Sequence, residues 1–373
     1  MESAVIKFGD ASTPYHFGYD CFEELSTVIA GAATNFSDIL LVADTAVSTF
    51  ASRLADELRR HCRTTEVLVS ATEKRKRLSE VERVIGCAVE GGVGRNTVVI
   101  ALGGGLVANV AGIAAALAFR GVPLIQIPTT PVGAFDAVLS MKQGVNLSAG
   151  KNLAGAYIAP LLIVADLALL QSIPETEMNT GLVEMAKNVL AVRPDLKGQF
   201  VSALARIRHG EASGYIDMLK FGIEAKAPSL AGDPKEQRDG LVFEYGHTVG
   251  HALEFCSSGT ISHGEGVAWG MLAAAQISAT EAGLSRNSVD EHREVLGELR
   301  LDLHAKPQIP VESLMNAIMA DNKRGYLAPQ RSEVSMVLLR ELGEPVLTET
   351  HALVNVSREL VESALHDLLA VRV

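Results

Sequence analysis

Apolar runs recur through the first half of the chain, and stretches with helical spacing separate them. Ser37 to Asp44 (SDILLVAD), Thr64 to Ser70 (TTEVLVS), Thr97 to Gly105 (TVVIALGGG), Gly121 to Thr130 (GVPLIQIPTT) and Leu161 to Asp166 (LLIVAD) each read as a strand. Such strands are apolar on both faces, as in a parallel sheet covered by helices. Thr45–Arg60, the charged stretch from Thr72 and the run VANVAGIAAALAF have helical character. Two shorter strand-like runs and an amphipathic segment near Phe22–Ala30 precede them. Alternating strands and helices predict an α/β domain. From about Pro174 strand-like runs become rare and helical spacing dominates. The pattern predicts an α/β domain over 1–175 and an all-α domain over 176–373.

Composition changes this picture little. The chain has 373 residues, 48% hydrophobic and 21% charged, an ordinary globular balance. A formal net charge of −11 argues against a general nucleic-acid binder. Four scattered cysteines with no close pair suit a reducing compartment. The N-terminus shows no secretory leader pattern. Val98 to Phe119 carries no charge, but the glycine triplet and Asn109 interrupt it. A buried strand, a turn and a helix explain it better than a membrane span, so a soluble, cytoplasmic protein without nucleic-acid or membrane partners is expected.

Candidate chemistry clusters at a few places. Gly103, Gly104 and Gly105 follow a strand and open a helix, which suits a pyrophosphate, though a packing turn reads equally well. The triplet does not meet the G-x-G-x-x-G pattern. Thr129 and Thr130 close the next strand, where α/β sheets bind ligands; helix-capping threonines are the plainer reading. Asp136, Lys142, Asn146, Lys151 and Asn152 crowd a glycine-spaced segment read as a loop. Glu184 and Lys187 share a helix face. In LVFEYGHTVGHALEFCSSGTISHGEGVAWGM, His247 and His251 also share a face, and His263 follows a Gly/Ser turn. Three such ligands with an open position would suit a catalytic zinc-type site; helical histidines bonded to carbonyls are the alternative. Asp321 to Tyr326 (DNKRGY) is a polar knot that could bind an anion.

Taken in order, GGGLVANVAG, FRGVPLIQIPTT, DAVLSMKQGVN, GKN, EMAKN, EYGHTVGHALE, HGEGVAWGM and DNKRGY resemble the sugar phosphate cyclases, the superfamily that includes dehydroquinate synthase. The resemblance spans roughly residues 38 to 340. It implies an NAD-binding α/β domain, a helical metal-binding domain, an active site in the cleft between them, and a homodimer. It assigns the metal, zinc or cobalt, to Glu184, His247 and His263, with His251 facing substrate instead. It assigns the cofactor to Asp44, Glu73, Lys76, Gly103, Gly104, Gly105, Asn109, Thr129, Thr130 and Lys151. Phosphate contacts would come from Lys142, Asn152, Lys323 and Arg120, the arginine reaching across the dimer. Lys187 and Lys226 would bind ring hydroxyls, Asp136 would orient them, and Lys142, Glu244 and His251 are the catalytic candidates.

The chain departs from the dehydroquinate synthase pattern at two places. Gly240 stands where that enzyme typically has an arginine for the substrate carboxylate. Glu244 stands where it has an asparagine, and a carboxylate there repels another at close range. These changes imply a substrate without a carboxylate. EYGHT, S-x-KQ-x-VN and DNKRGY resemble the cyclases of this superfamily that act on glucose 6-phosphate, and that resemblance implies a phosphate-eliminating lyase whose carbocyclic product begins 2-deoxystreptamine antibiotics. A dehydroquinate synthase or another sugar phosphate cyclase is the alternative. An iron-type alcohol dehydrogenase and a non-catalytic partner subunit are further ones.

Overall fold

The structure is a computed structural model that describes residues 1–148, 150–301, 303, 309–320 and 332–370. The first half contains β1 (Glu2–Phe8), β2 (Ala11–Gly18), α1 (Phe22–Ala33), β3 (Asp38–Asp44), α2 (Ser48–Arg59), β4 (Arg63–Val69), α3 (Leu78–Glu90), β5 (Thr97–Gly103), α4 (Gly105–Leu117), β6 (Leu124–Pro128), β7 (Lys142–Leu147), β8 (Gly150–Tyr157) and β9 (Leu162–Asp166). Among the described residues seven of these nine strands form one sheet, ordered β1-β2-β9-β6-β5-β3-β4. Every pairing in it is parallel except that of edge strand β1 with β2.

The two-sided burial expected of these strands is visible residue by residue. Ile39, Leu41, Val98, Ile100 and Leu102 pack with Phe22, Leu25, Leu54 and Leu58 of α1 and α2. Leu40, Val42, Val99 and Ala101 pack with Val81, Val84, Val107 and Val110 of α3 and α4. Successive side chains thus feed two cores, which is why the strand sequences lack a polar face.

One segment differs from its sequence reading. Residues 142–157 form an antiparallel hairpin, β7 with β8, where a loop was expected. Val145 belongs to the core on the α3–α4 side, and Ala154 and Ala156 pack against it. The polar and glycine positions that suggested a loop alternate with these apolar ones.

The second half contains α5 (Glu175–Ala191), α6 (Lys197–Arg208), α7 (Ala212–Gly232), α8 (His247–Cys256), α9 (His263–Glu281), α10 (Arg286–Gly297), α11 (Val311–Met319), β10 (Glu333–Met336), β11 (Leu339–Glu341), β12 (Glu344–Pro345), β13 (Val354–Ser357) and α12 (Arg358–Ala370). Two small antiparallel ribbons, β10 with β13 and β11 with β12, supplement the helices. Helix α9 is the hub: it packs against α5, α8, α10 and α12. Its positions from Gly264 to Ser278 are buried almost without interruption, as expected of a helix apolar all round. The chain divides into two compact units with a break between Ile173 and Pro174; residues 206–219 and 230–235 group with the first unit. No described helix is long and apolar enough to cross a membrane.

Candidate active site

In the first unit, several predicted cofactor residues gather at one end of the strands. Strands β3, β5 and β6 are parallel neighbours, so Asp44, the glycine triplet and Thr129–Thr130 lie at the same end. The chain leaves β3 toward β4 on one side and returns to β5 on the other. That reversal makes a crevice at the strand ends, where open α/β sheets bind ligands. Gly104 has a steric reason to be glycine: a Cβ there would lie 2.7 Å from the Thr130 methyl. Helix α4 starts at Gly105 and turns its free N–H groups toward this end. Asn109 reinforces the turn: its amide donates to the Gly105 carbonyl at 2.6 Å and its oxygen accepts from Gly144 N at 2.5 Å.

The hairpin brings a second group together. Lys76 donates to Asn152 Oδ1 at 2.6 Å, Asn152 N to Asn146 Oδ1 at 2.9 Å, and Asn146 Nδ2 to Glu73 Oε1 at 2.7 Å. Lys151 Nζ lies 3.6 Å from Glu73. Asn152 adopts φ 55°, a left-handed conformation that asparagine tolerates better than most residues. Asn146 is the hub of this network, and no role had been assigned to it from sequence. Lys142 opens β7 and is half-buried; Asp136 sits in the π-turn Gly133–Ala137. Arg120 is exposed at the opposite end of α4 from the glycine turn. Phe119, Arg120 and Gly121 have φ of 52°, 75° and 115°, a run that needs tertiary support. Lys323 and the DNKRGY knot lie outside the described residues.

In the second unit, Glu184, His247 and His263 converge, with one ligand atom from each within 4.8 Å of the others. Glu184 Oε1 is 3.4 Å from His247 Nε2 and 3.2 Å from His263 Nε2. Ligand atoms about 2.1 Å from a tetrahedral ion stand roughly 3.4 Å apart, so the spacing fits zinc or cobalt. The outer nitrogens are also committed. His247 Nδ1 is 3.2 Å from the Tyr245 carbonyl, and His263 Nδ1 is 3.1 Å from Glu254 Oε2. Each Nδ1–H can then donate outward, and with an ion bound each Nε2 would offer its lone pair at the shared position. His251 stands beside this group, its ring 5.1 Å from that of His247 and 5.7 Å from that of His263. The three-histidine set considered from spacing alone is therefore not the group that forms.

Glycine packing creates this convergence. Helices α8 and α9 cross almost backbone to backbone. A Cβ on Gly270 would sit 1.9 Å from the Gly246 carbonyl oxygen, and one on Gly250 would sit 2.9 Å from that of Gly266. A Cβ on Gly264 would reach within 2.7 Å of Thr180 Cα, one turn before Glu184 on α5. A capping box between Ser262 and Glu265 fixes the start of α9, so His263 is its first residue.

The electrostatics are strong. Burial pushes the Glu184 carboxyl up, but Lys187 and His247 hold it well below the usual carboxylate range. Lys187 Nζ is 2.5 Å from Glu184 Oε2, and both side chains are buried. Burial holds His247 below the usual imidazole range against the pull of Glu184. Burial also opposes charge on His263, yet its bonds to Glu184 and Glu254 push it up to about 9. The Phe243 ring lies 5.9 Å from Lys187 Nζ and 5.0 Å from Lys226 Nζ. Phe243 and Glu254 had no assigned role from sequence; Glu254 lies two helical turns after His247, a spacing that places it on the same face.

Comparison with known proteins gives the family. The family model for the 3-dehydroquinate synthase N-terminal domain matches residues 66–180, and that for the C-terminal domain matches 181–324. A 2-deoxy-scyllo-inosose synthase from Streptoalloteichus tenebrarius is 38% identical over 99% of this chain and 95% of its own length. The chain belongs to the sugar phosphate cyclase family. Among solved structures of this family, a 2-deoxy-scyllo-inosose synthase complexed with carbaglucose-6-phosphate, NAD+ and Co2+ superposes with a TM-score of 0.91 at 32% identity. The match covers 98% of this chain and all of the other. A 2-epi-5-epi-valiolone synthase from Streptomyces hygroscopicus with NAD+ and Zn2+ bound, at 24% identity and TM-score 0.81 over 98% and 99% of the two chains, shares the fold.

Proposed function

We propose that the chain closes D-glucose 6-phosphate into 2-deoxy-scyllo-inosose and releases the C6 phosphate. The observation that carries this reading is the Glu184–His247–His263 cluster in a chain with full-length likeness to 2-deoxy-scyllo-inosose synthases. The C4 hydroxyl is oxidised and later restored, so the conversion is redox-neutral overall.

When bound, NAD+ supplies a reversible hydride acceptor and a divalent cobalt or zinc ion supplies Lewis-acid polarisation of the C4 oxygen. Glu184, His247 and His263 hold the ion. Asp44 accepts from the ribose hydroxyls, and the glycine turn with Thr129 and Thr130 receives the pyrophosphate. Lys187 and Lys226 donate hydrogen bonds to ring hydroxyl oxygens, and Asp136 orients them. Glu244 and His251 move the proton at C5; a positioned acid or base contributes ~10²- to 10⁴-fold. Lys142 and Asn152 grip the C6 phosphate, and Lys142 stabilises the charge that grows as the C–O bond breaks. The ring then opens, and C6 bonds to the C1 aldehyde carbon.

Glu244 and Gly240 set the substrate class. A carboxylate of a keto acid substrate about 5 Å from Glu244 would meet roughly 3 kcal/mol of repulsion at an effective dielectric near 20. Gly240 offers no side chain to balance it. In this reading the working form is a cytoplasmic homodimer, in which exposed Arg120 serves the phosphate bound by the neighbouring copy.

Purified protein with NAD+, Co2+ and glucose 6-phosphate should release phosphate and a carbocyclic ketone in equal amounts, with no net NADH. Release only from a seven-carbon keto acid phosphate would assign it to dehydroquinate synthesis. Steady NADH accumulation would assign it to an alcohol dehydrogenase.

A further inference from the structure

We propose that Glu254 is a positioning residue that fixes the ring of His263 for metal binding. The inference rests on reading Glu184, His247 and His263 as a metal site. His263 has a carboxylate at each ring nitrogen: Glu254 Oε2 at 3.1 Å from Nδ1 and Glu184 Oε1 at 3.2 Å from Nε2. An ionised carboxylate accepts and cannot donate. Glu254 therefore keeps a proton on Nδ1, so that an ion taking the place of the proton between Nε2 and Glu184 would meet the Nε2 lone pair.

The two histidine ligands are secured differently. His247 has a side chain only 10% exposed, and its Nδ1 meets the neutral carbonyl of Tyr245. Tyr245 is itself anchored, its hydroxyl 2.8 Å from His292 Nε2 in the interior. Packing and backbone thus fix the first ring. The His263 side chain is 31% exposed. Its backbone is fixed by the capping box at Ser262 and by the turn before it, where Ser257 Oγ accepts from Gly259 N and Ile261 N. Those contacts leave the ring torsions free, and Glu254 is the side chain that takes up that freedom. A charged acceptor also makes the imidazole a stronger donor to the ion than a carbonyl does.

The test uses the full chain stripped of metal and titrated with Co2+ against a chromophoric chelator. E254A should weaken Co2+ binding ~10- to 100-fold and alter the visible absorption of bound Co2+, as loss of an outer partner does in other metal sites. E254Q, whose amide oxygen still accepts from Nδ1–H, should fall between E254A and the wild type. NAD+ affinity should be unchanged, and turnover should recover at saturating Co2+. Co2+ affinity and spectrum in both variants indistinguishable from wild type would overturn the inference alone. Should E254A fail to fold, E254Q decides by the same two readouts. Wild-type protein that binds no Co2+ would overturn the metal reading and this inference with it.

Discussion

Replacing Gly270 by alanine should dismantle the proposed metal site without touching a proposed ligand. The added Cβ would lie 1.9 Å from the Gly246 carbonyl oxygen, and real Cβ contacts essentially never fall under 3.0 Å. The obstacle is backbone, so helices α8 and α9 must separate by about 1 Å, whereas metal–ligand distances tolerate only about ±0.2 Å. His247 follows Gly246 directly, and His263 heads the helix that carries Gly270, so the separation acts on both ligands. Overpacking of this kind also costs ~1–3 kcal/mol of stability. Chelator competition for Co2+ should show affinity at least ~100-fold below wild type if the ligands miss by several times that tolerance. Gly250→Ala, whose Cβ would meet Gly266 O at 2.9 Å, should be milder. Gly31→Ala on the surface of α1, with nothing within 4 Å, should leave metal binding intact and stabilise by about 0.5–1 kcal/mol. A Gly270→Ala protein with wild-type Co2+ affinity would refute the reasoning.

Three further outcomes are expected. Glu244→Gln should lower turnover of glucose 6-phosphate ~100-fold or more while NAD+ affinity, read by fluorescence titration, stays within error. Stability should fall in acid because burial depresses His292 to about 4, below the ordinary 6.5. The native ring stays neutral while the unfolded chain takes up its proton, so this contribution is complete above about 6.5 and is lost as pH falls toward 4. Urea unfolding should show wild type losing about 2 kcal/mol more than His292→Gln between pH 7 and 5; equal losses would contradict the assignment. Removing metal with a chelator should lower the melting temperature, and Co2+ at about 100 times its Kd should restore ~2.7 kcal/mol.

Much of the fold was legible because its strands are extreme. DILLVAD and TVVIALG feed two cores, LIVAD is buried throughout, and none leaves another reading. The β7–β8 hairpin was illegible because only one face is apolar and glycines interrupt it. Its network joins Glu73 and Lys76 to Asn146 and Asn152, a pairing that no local pattern announces. The four short strands β10 to β13 have four residues or fewer, too few to show alternation. In the candidate site, histidine spacing alone favoured three histidines, whereas the ligand atoms that converge belong to Glu184, His247 and His263; distant Glu184 came from the family resemblance. The glycines of GHTVGH and HGEGVAWG read as motif spacing, whereas their physical role is the close crossing of α8 and α9. Glu254 stood in plain view beside the histidines, but its part depends on a turn that brings His263 back to it.

The most direct test of the account is the stoichiometry of one reaction. With NAD+ in catalytic amount, Co2+ and glucose 6-phosphate, the protein should release one phosphate per carbocyclic ketone through many turnovers per NAD+, with no absorbance growth from NADH. Product that stops at one equivalent per NAD+, or phosphate release without a carbocycle, would contradict it.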